Sequence, residues 1–455
     1  MALSVTEESL FKNMADTLTA ARVEVRRLND YYEGMHKLEQ LGLSIPDELQ
    51  QFTVTLNWPR VGVDAPEQRL DVQGFRMPGG EADEALWRVW QANNMDERQS
   101  FAHIDALALG RSYVCVGTNP EDPQSPIITV ESPLEMIAVR DPATHRVRAA
   151  LRLYGADLET GQDARATLYL PNQTRWLVRR NAEWVDEYEP DVHNLGTVPV
   201  VVMVNRNRST RRHGSIVEGV SEMADLIPIA DSASRAITNA QLAQETMAVP
   251  QRYILGATKG DFVDTTGNPL SVWESYFGAV WAHGNPNAKA GQFEAAELSN
   301  FENITNMYAR LASGLSGLPI EYFGLNTQNA PSAEGQRAGE TRLIKKAERK
   351  QVSFGHGWES VMRLVIRFRD GVWSEDAKRL ETIWRDAGTP TVAQATDAIV
   401  KRYQAGLVDW ETAQERLGES PTAIEQMKQR RQSDLFVSEE IGVSLAQRAQ
   451  AQLEA

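Results

Sequence analysis

Cysteine is almost absent from this 455-residue chain: Cys115 stands alone, so there is no internal disulfide, no zinc–thiolate cluster and no need for an oxidising compartment. Long apolar runs are missing too. The longest, residues 198–204 (VPVVVMV), falls far short of the roughly 18 residues a membrane-spanning helix needs, and no membrane partner is expected. The opening stretch, MALSVTEESLFKNMADTL, lacks a basic segment followed by an apolar one, so a secretory signal is not expected either. Positive charge is in deficit: 47 Lys and Arg against 62 Asp and Glu leave a formal charge of −15. A protein that grips DNA tightly neutralises phosphates with a basic surface. Stable nucleic-acid binding is therefore disfavoured as a global property, whereas brief contact through a few local basic or polar groups is not.

The usual catalytic signatures are also missing. No G-x-x-x-x-G-K-[ST] phosphate loop and no H-E-x-x-H occurs, and Gly256-Ala257-Thr258-Lys259-Gly260 reads as a turn. The seven histidines are scattered, with no pair at metal-ligand spacing. Gly314-Leu315-Ser316-Gly317 is one residue short of a nucleophile elbow and follows a helix rather than a strand. Cys115 lies within an apolar strand pattern, where a thiol is buried and inert. No catalytic residue, metal site or cofactor is called for.

What remains is a folded composition, 42% apolar and 24% charged, long enough for about three domains. Leu10, Met14, Leu18, Ala21 and Val25 recur at helical spacing, with Gly34 placed to end the helix. Residues 35–80, broken by Pro46, Pro59, Pro66 and Pro78, read as irregular. Helices follow at 81–93 and 95–109. Short β-branched or aromatic runs at 112–117, 127–130, 136–139, 149–154, 166–170, 175–178 and 198–204 then predict strands, so residues 97–205 read as one α+β region. Its acidic tip, Asp186, Glu187, Glu189 and Asp191, reads as a solvated hairpin end.

Helical patterning resumes after Gly214, with Ser215 and Glu218 at capping-box spacing and Pro228 expected to end or kink that helix. From there to about residue 248 many small residues recur, among them Ala233, Ala236 and Ala240. Two readings stand: an ordinary buried helix, or one that packs closely on several neighbours. A compact insert over 250–296 precedes a helix opening at Ser299, again with capping-box spacing to Glu302. Gly and Pro break the pattern between 314 and 331 around a polar stretch, Asn326-Thr327-Gln328-Asn329. The longest helical run, 332–368, would measure about 55 Å, with Gly355 and Gly357 as places to kink. Its first half carries Lys345, Lys346, Arg349 and Lys350, and its second half is apolar. Those lysines and the arginine admit a solvated or acid-paired face, or contact with DNA.

Several short stretches, in this order, carry a family resemblance: Tyr31-Tyr32-Glu33-Gly34, Asn57-Trp58-Pro59-Arg60-Val61-Gly62-Val63-Asp64, Arg69-Leu70-Asp71-Val72-Gln73-Gly74-Phe75, Ala108-Leu109-Gly110-Arg111-Ser112-Tyr113-Val114, Val198-Pro199-Val200-Val201, Asn329-Ala330-Pro331-Ser332-Ala333-Glu334, Ala347-Glu348-Arg349-Lys350 and Trp384-Arg385-Asp386 before Thr389-Pro390-Thr391. With the helix–insert–helix unit between them, the chain resembles the portal proteins of long-tailed bacteriophages over nearly its whole length. The resemblance implies an α+β, multi-domain portal fold: a wing at 1–214, a first stem helix at 215–249, a clip at 250–297, a second stem helix at 298–314, a tunnel loop at 315–331, a long helix returning to the wing at 332–370, and a helical crown with a tail at 371–455. It implies a homo-oligomeric ring, dodecameric in the family, at one vertex of the capsid in the virion, made in the host bacterial cytoplasm. The ring is the channel for genome packaging and ejection, without ATP hydrolysis of its own. Double-stranded DNA would pass without sequence specificity. The implied protein partners are the terminase large subunit, capsid and scaffolding proteins, and a head-to-tail connector or adaptor.

On that plan Asn326, Thr327, Gln328 and Asn329 would face DNA, although an ordinary surface connection is an equal reading. Lys345, Lys346, Arg349 and Lys350 would offer a basic channel or partner face, and Ala233, Ala236 and Ala240 would pack between subunits. Leucine at Ala233 or Ala236 would then disturb assembly more than folding. An acidic conduit suits DNA that must slide. The rival classes are another phage structural or scaffold protein without a ring, and a metal-dependent DNA-processing enzyme built from distant carboxylates.

Overall fold

The computed structural model describes residues 3–38, 53–78, 80, 82–155, 164–181, 183–206, 216–247, 252–255, 289–292, 299–325, 333–388, 392–420 and 422–431. The chain divides into two compact units, one built from 1–36, 57–228 and 312–455, the other from 37–56 and 229–311.

In the first unit, α1 (Val5–Glu33) opens with a reciprocal cap: Ser4 Oγ accepts the Glu7 N–H, and the Glu7 carboxylate accepts the Ser4 N–H at 2.9 Å. It ends at Gly34, whose φ of 72° is the left-handed conformation expected of a terminating glycine. α2 (Trp58–Glu67) and β1 (Val72–Arg76) lie in the stretch whose prolines read as irregular. Pro59 stands in the first turn of α2, where no N–H is required, and Pro66 at its far end, so these prolines bound a helix instead of abolishing it. α3 (Glu84–Ala92) is capped by Asp83, which accepts the Leu86 N–H at 3.0 Å, and α4 (Met95–Leu109) ends at Gly110.

The strands that follow are β2 (Arg111–Gly117), β3 (Ile127–Glu131), β4 (Met136–Arg140), β5 (Val147–Tyr154), β6 (Arg165–Tyr169), β7 (Thr174–Arg180), β8 (Glu183–Asp186) and β9 (Val200–Val204). They form two antiparallel sheets, one in the order β3-β2-β9 and one a meander from β4 to β8. The acidic tip is not simply solvated. Asp186 ends β8 and lies buried 2.8 Å from Arg175, and Glu187 meets Arg165 at 3.0 Å. The opposite charges come from β7 and β6, which the sequence does not place beside it.

Ser215 lies outside the described residues; residues 216–218 form bends, with the Glu218 carboxylate 2.9 Å from Arg140. The helix α5 (Ile227–Met247) starts later, with Pro228 in its first turn. Proline therefore opens this helix, because its fixed φ and missing N–H suit the first turn. β10 (Arg252–Leu255) pairs antiparallel with β11 (Lys289–Gln292), and α6 (Ser299–Ser316) begins at the expected serine. The rest of the insert, including the short helix expected near 270–276, lies outside the described residues.

The long helix α7 (Ala333–Asp370) runs without interruption through Gly355 and Gly357. A Cβ at Gly357 would lie 3.1 Å from Met203 of β9, and one at Gly355 3.1 Å from Trp384. These glycines serve close packing of helix on strand. β12 (Glu381–Trp384) pairs with β1, Phe75 opposite Thr382, so residues 381–384 fold back onto the N-terminal part of the first unit. α8 (Val392–Gln404), α9 (Trp410–Leu417) and a helix at 422–431 complete the described chain.

The apolar half of α7 is core, as its sequence predicts. Phe354, Trp358, Val361, Met362 and Val365 pack with residues of α2, α3, α4, β1 and β2. Trp358 meets Trp90 edge-on at 4.9 Å, and its indole N–H donates to His103 Nε2 at 2.9 Å. Burial pushes His103 down to about 3, so the ring stays neutral and acts as an acceptor. In a separate cluster, Phe11, Met14 and Leu18 of α1 cover the meander at Ile137, Leu151, Leu168 and Leu177.

Candidate functional site

Residues 216–226 and the basic half of α7 meet at Glu222, which the sequence does not single out. Its carboxylate is 2.7 Å from both Lys346 and Lys350, two residues one helical turn apart and therefore on one face. Lys350 is buried and also donates to the Asn205 side-chain oxygen. Asn205 Nδ2 in turn donates to Glu222 Oε1 at 3.1 Å and to the Val220 carbonyl at 2.7 Å. Burial raises the Glu222 carboxyl, but the two ammonium charges and their hydrogen bonds outweigh it and hold the group down at about 2. Burial lowers Lys350, opposed by Glu222.

The four basic residues singled out in the sequence thus split into two pairs. Lys346 and Lys350 are held internally by Glu222, the acid-paired reading, because a helix turns 345 and 349 away from 346 and 350. Lys345 and Arg349 stay exposed, and Lys345 pairs with Glu348 at 2.7 Å. The spacing of Lys346 and Lys350 was visible in sequence, but their partner was not. The backbone around Glu222 is equally fixed. Its N–H donates to the Leu107 carbonyl at 2.8 Å, Val220 N–H to Asn205, and Asn205 N–H to Gly110. Gly110 and Gly219 face each other at φ of 89° and 90°, and a Cβ on Gly219 would overlap the Gly110 carbonyl.

The polar stretch Asn326, Thr327, Gln328 and Asn329 lies outside the described residues, but the chain leading to it is anchored. Gly317, at φ 74°, follows the last turn of α6, and Ser313 Oγ donates to the Leu318 carbonyl at 2.7 Å. Arg342 of α7 donates to the Gly314 carbonyl at 3.3 Å. Residues 320–323 form one 3-10 turn ended by Gly324 at φ 84°, and Phe323 is buried against Trp58 at 5.6 Å.

The small residues of α5 divide as well. Ala230, Ala233, Ser234 and Thr238 share one buried face. Ser234 Oγ accepts the Leu56 N–H at 2.9 Å and Thr238 Oγ1 the Val54 N–H at 3.1 Å. A main-chain segment seated this closely requires small side chains, so this face is filled by the chain itself. Ala233 is fully buried and is corrected from inter-subunit contact to internal packing, whereas Ala236 and Ala240 are half-buried. Ala233→Leu is accordingly expected to cost about 1–3 kcal/mol of stability through overpacking, and Ala236→Leu less than about 0.5 kcal/mol, as measured by urea unfolding of the two variants.

Among the described residues no group of His, Cys, Asp and Glu could hold a metal ion, and no helix is long and apolar enough to cross a membrane. The chain matches the family model described as phage portal protein, SPP1 Gp6-like, over residues 12–434. It is 37% identical over 415 residues to the portal protein of Mycobacterium phage D29, covering 89% of this chain and 84% of that one. With the portal protein of Mycobacterium phage L5 the identity is 35% over 428 residues, covering 92% and 87%. Among solved structures, a chain from the neck of an empty gene transfer agent particle aligns over 83% of this chain and 94% of its own at TM-score 0.45 and 13% identity. One from the native gene transfer agent virion aligns over 87% and 99% at TM-score 0.44 and 14% identity. The family match over most of the chain and the two relatives above one-third identity agree with the order of motifs in the sequence: the chain belongs to the phage portal protein family, whose members are structural proteins of the virion and not enzymes.

Proposed function

We propose that the chain forms a dodecameric ring at one vertex of a phage capsid, through whose channel the genome is packaged and later ejected. The family match over residues 12–434 carries this reading. The terminase large subunit would dock on the ring during packaging and a head-to-tail connector afterwards, with capsid and scaffolding proteins around it, and the subunits would be made in the host bacterial cytoplasm. In this reading 1–214 is the wing, α5 and α6 are stem helices flanking a clip at 250–297, and 315–331 is the tunnel loop. The antiparallel pair β10–β11 between the two helices is consistent with a small clip. The net charge of −15 favours sliding over capture.

Asn326, Thr327, Gln328 and Asn329 would touch the DNA backbone by transient polar contacts. The anchoring of 314–325 against α7 and Trp58 supports a defined position for the start of that loop. Of the basic residues, Lys345 and Arg349 remain to face the channel or a partner. Ala236 and Ala240 are the positions of α5 left for packing between subunits.

Mass in solution with negative-stain imaging tests the proposal. Rings of about twelve copies with a central hole are expected, the count being the one this reading inherits from its family resemblance; a stable dimer with a closed cleft would overturn it. Ala236→Leu is expected to reduce the fraction in rings while leaving the unfolding midpoint unchanged.

A further inference from the structure

We propose that Arg111 and Tyr113 form a binding site for a small oxyanion, a phosphate or a carboxylate. The two residues stand two apart on β2 and so project from the same face of the strand. Both are almost fully buried, 3% and 2% exposed. Arg111 Nε donates to the Tyr113 hydroxyl at 3.0 Å. That hydroxyl has then used a lone pair but not its proton, for which the described residues supply no acceptor. Arg111 Nη2 is buried and has no hydrogen-bond partner at all. Among the described residues no carboxylate pairs with the guanidinium.

Arg111 and Tyr113 thus stand together with an N–H and a hydroxyl proton for which the described residues offer no acceptor. Both line a cavity of about 170 Å³ between α1, β4 and residues 216–218. A water's share of the liquid is about 30 Å³, so the cavity has room for one small anion and a few waters. One carboxylate, Glu218, lines it, and Arg140 holds that group at 2.9 Å. The net charge at the cavity is therefore that of Arg111. A buried guanidinium without a counter-ion is unfavourable, and an oxyanion accepting from Arg111 Nη2 and Tyr113 Oη supplies both the charge and the acceptors. Arg111 suits this role because a guanidinium presents several N–H donors in a fixed fork that matches an oxyanion.

The test is thermal unfolding and titration calorimetry of the whole chain in sodium phosphate, sodium acetate and sodium chloride at equal ionic strength. The unfolding midpoint is expected to rise with the logarithm of phosphate or acetate concentration above the chloride control. A rise in phosphate alone assigns a phosphate, and one in acetate assigns a carboxylate. Arg111→Met is expected to abolish the rise. Tyr113→Phe, which keeps the ring and its packing, is expected to weaken binding about tenfold. Equal midpoints in the three anions would overturn the site, as would a phosphate or acetate response that Tyr113→Phe leaves at full strength.

Discussion

Replacing Glu222 by glutamine is expected to lower the unfolding free energy by about 3–5 kcal/mol, the usual cost of removing one partner from a buried ion pair. The variant strands Lys350, 8% exposed, among Asn205 and a neutral amide. It also deprives Lys346 of its 2.7 Å partner. The double variant Glu222→Gln, Lys350→Met is expected to recover part of the loss, since it takes away the uncompensated charge along with the carboxylate.

The effect carries a pH signature of definite sign. Glu222 sits at about 2 in the folded chain against 4.5 for the free group, so its folded value is depressed. Its stabilisation is then fully present above pH 4.5 and is lost as the pH falls through 2. The difference between wild type and Glu222→Gln should close as the pH falls over that acid window. Because the comparison is between two chains that share every other titrating group, His103, Glu67 and Asp105 do not enter it. Urea unfolding at a series of pH values measures it, and a gap independent of pH down to 2 would refute the assigned role.

The second large effect is expected at Gly219. Alanine there meets the Gly110 carbonyl and must also hold a φ of 90°. The strained conformation alone costs about 1–3 kcal/mol, and the overlap is with main chain, which has no rotamer to yield. A loss of about 3 kcal/mol or more is expected, seen as a lower urea midpoint. Gly314→Ala is the control. It lies within α6 with open space around its Cα, so alanine should be neutral or stabilise by about 0.5–1 kcal/mol. If both substitutions had equal effects, the close approach of Gly110 and Gly219 would not be what fixes this junction.

Elements whose evidence is local were legible in the sequence. The periodicity of Leu10, Met14 and Leu18 marked α1, Gly34 its end, and the change from polar to apolar within α7 its buried half. Most strands of the two sheets were visible as β-branched runs between turns. Elements whose evidence is a pairing with distant chain were not legible. β1 lay hidden among prolines because its partner, β12, is more than three hundred residues away. Gly355 and Gly357 looked like kinks because the strands that press on them cannot be read from the helix. Pro228 looked like a helix end because the pattern before it gave no hint that the chain there is bent instead of helical.

The candidate site divides in the same way. The sequence by itself determined that the chain is acidic, that it carries none of the usual catalytic motifs, and which family its ordered motifs resemble, since composition and short motifs need no contacts to be read. It marked Lys345, Lys346, Arg349 and Lys350 as one basic run. Only the tertiary structure decided that two of them pair with Glu222, 128 residues from Lys350, and that Ala233 packs inside its own chain. The charge state and exposure of a side chain depend on what folding brings beside it, and a carboxylate from a distant segment in a buried site outweighs anything its sequence neighbours contribute.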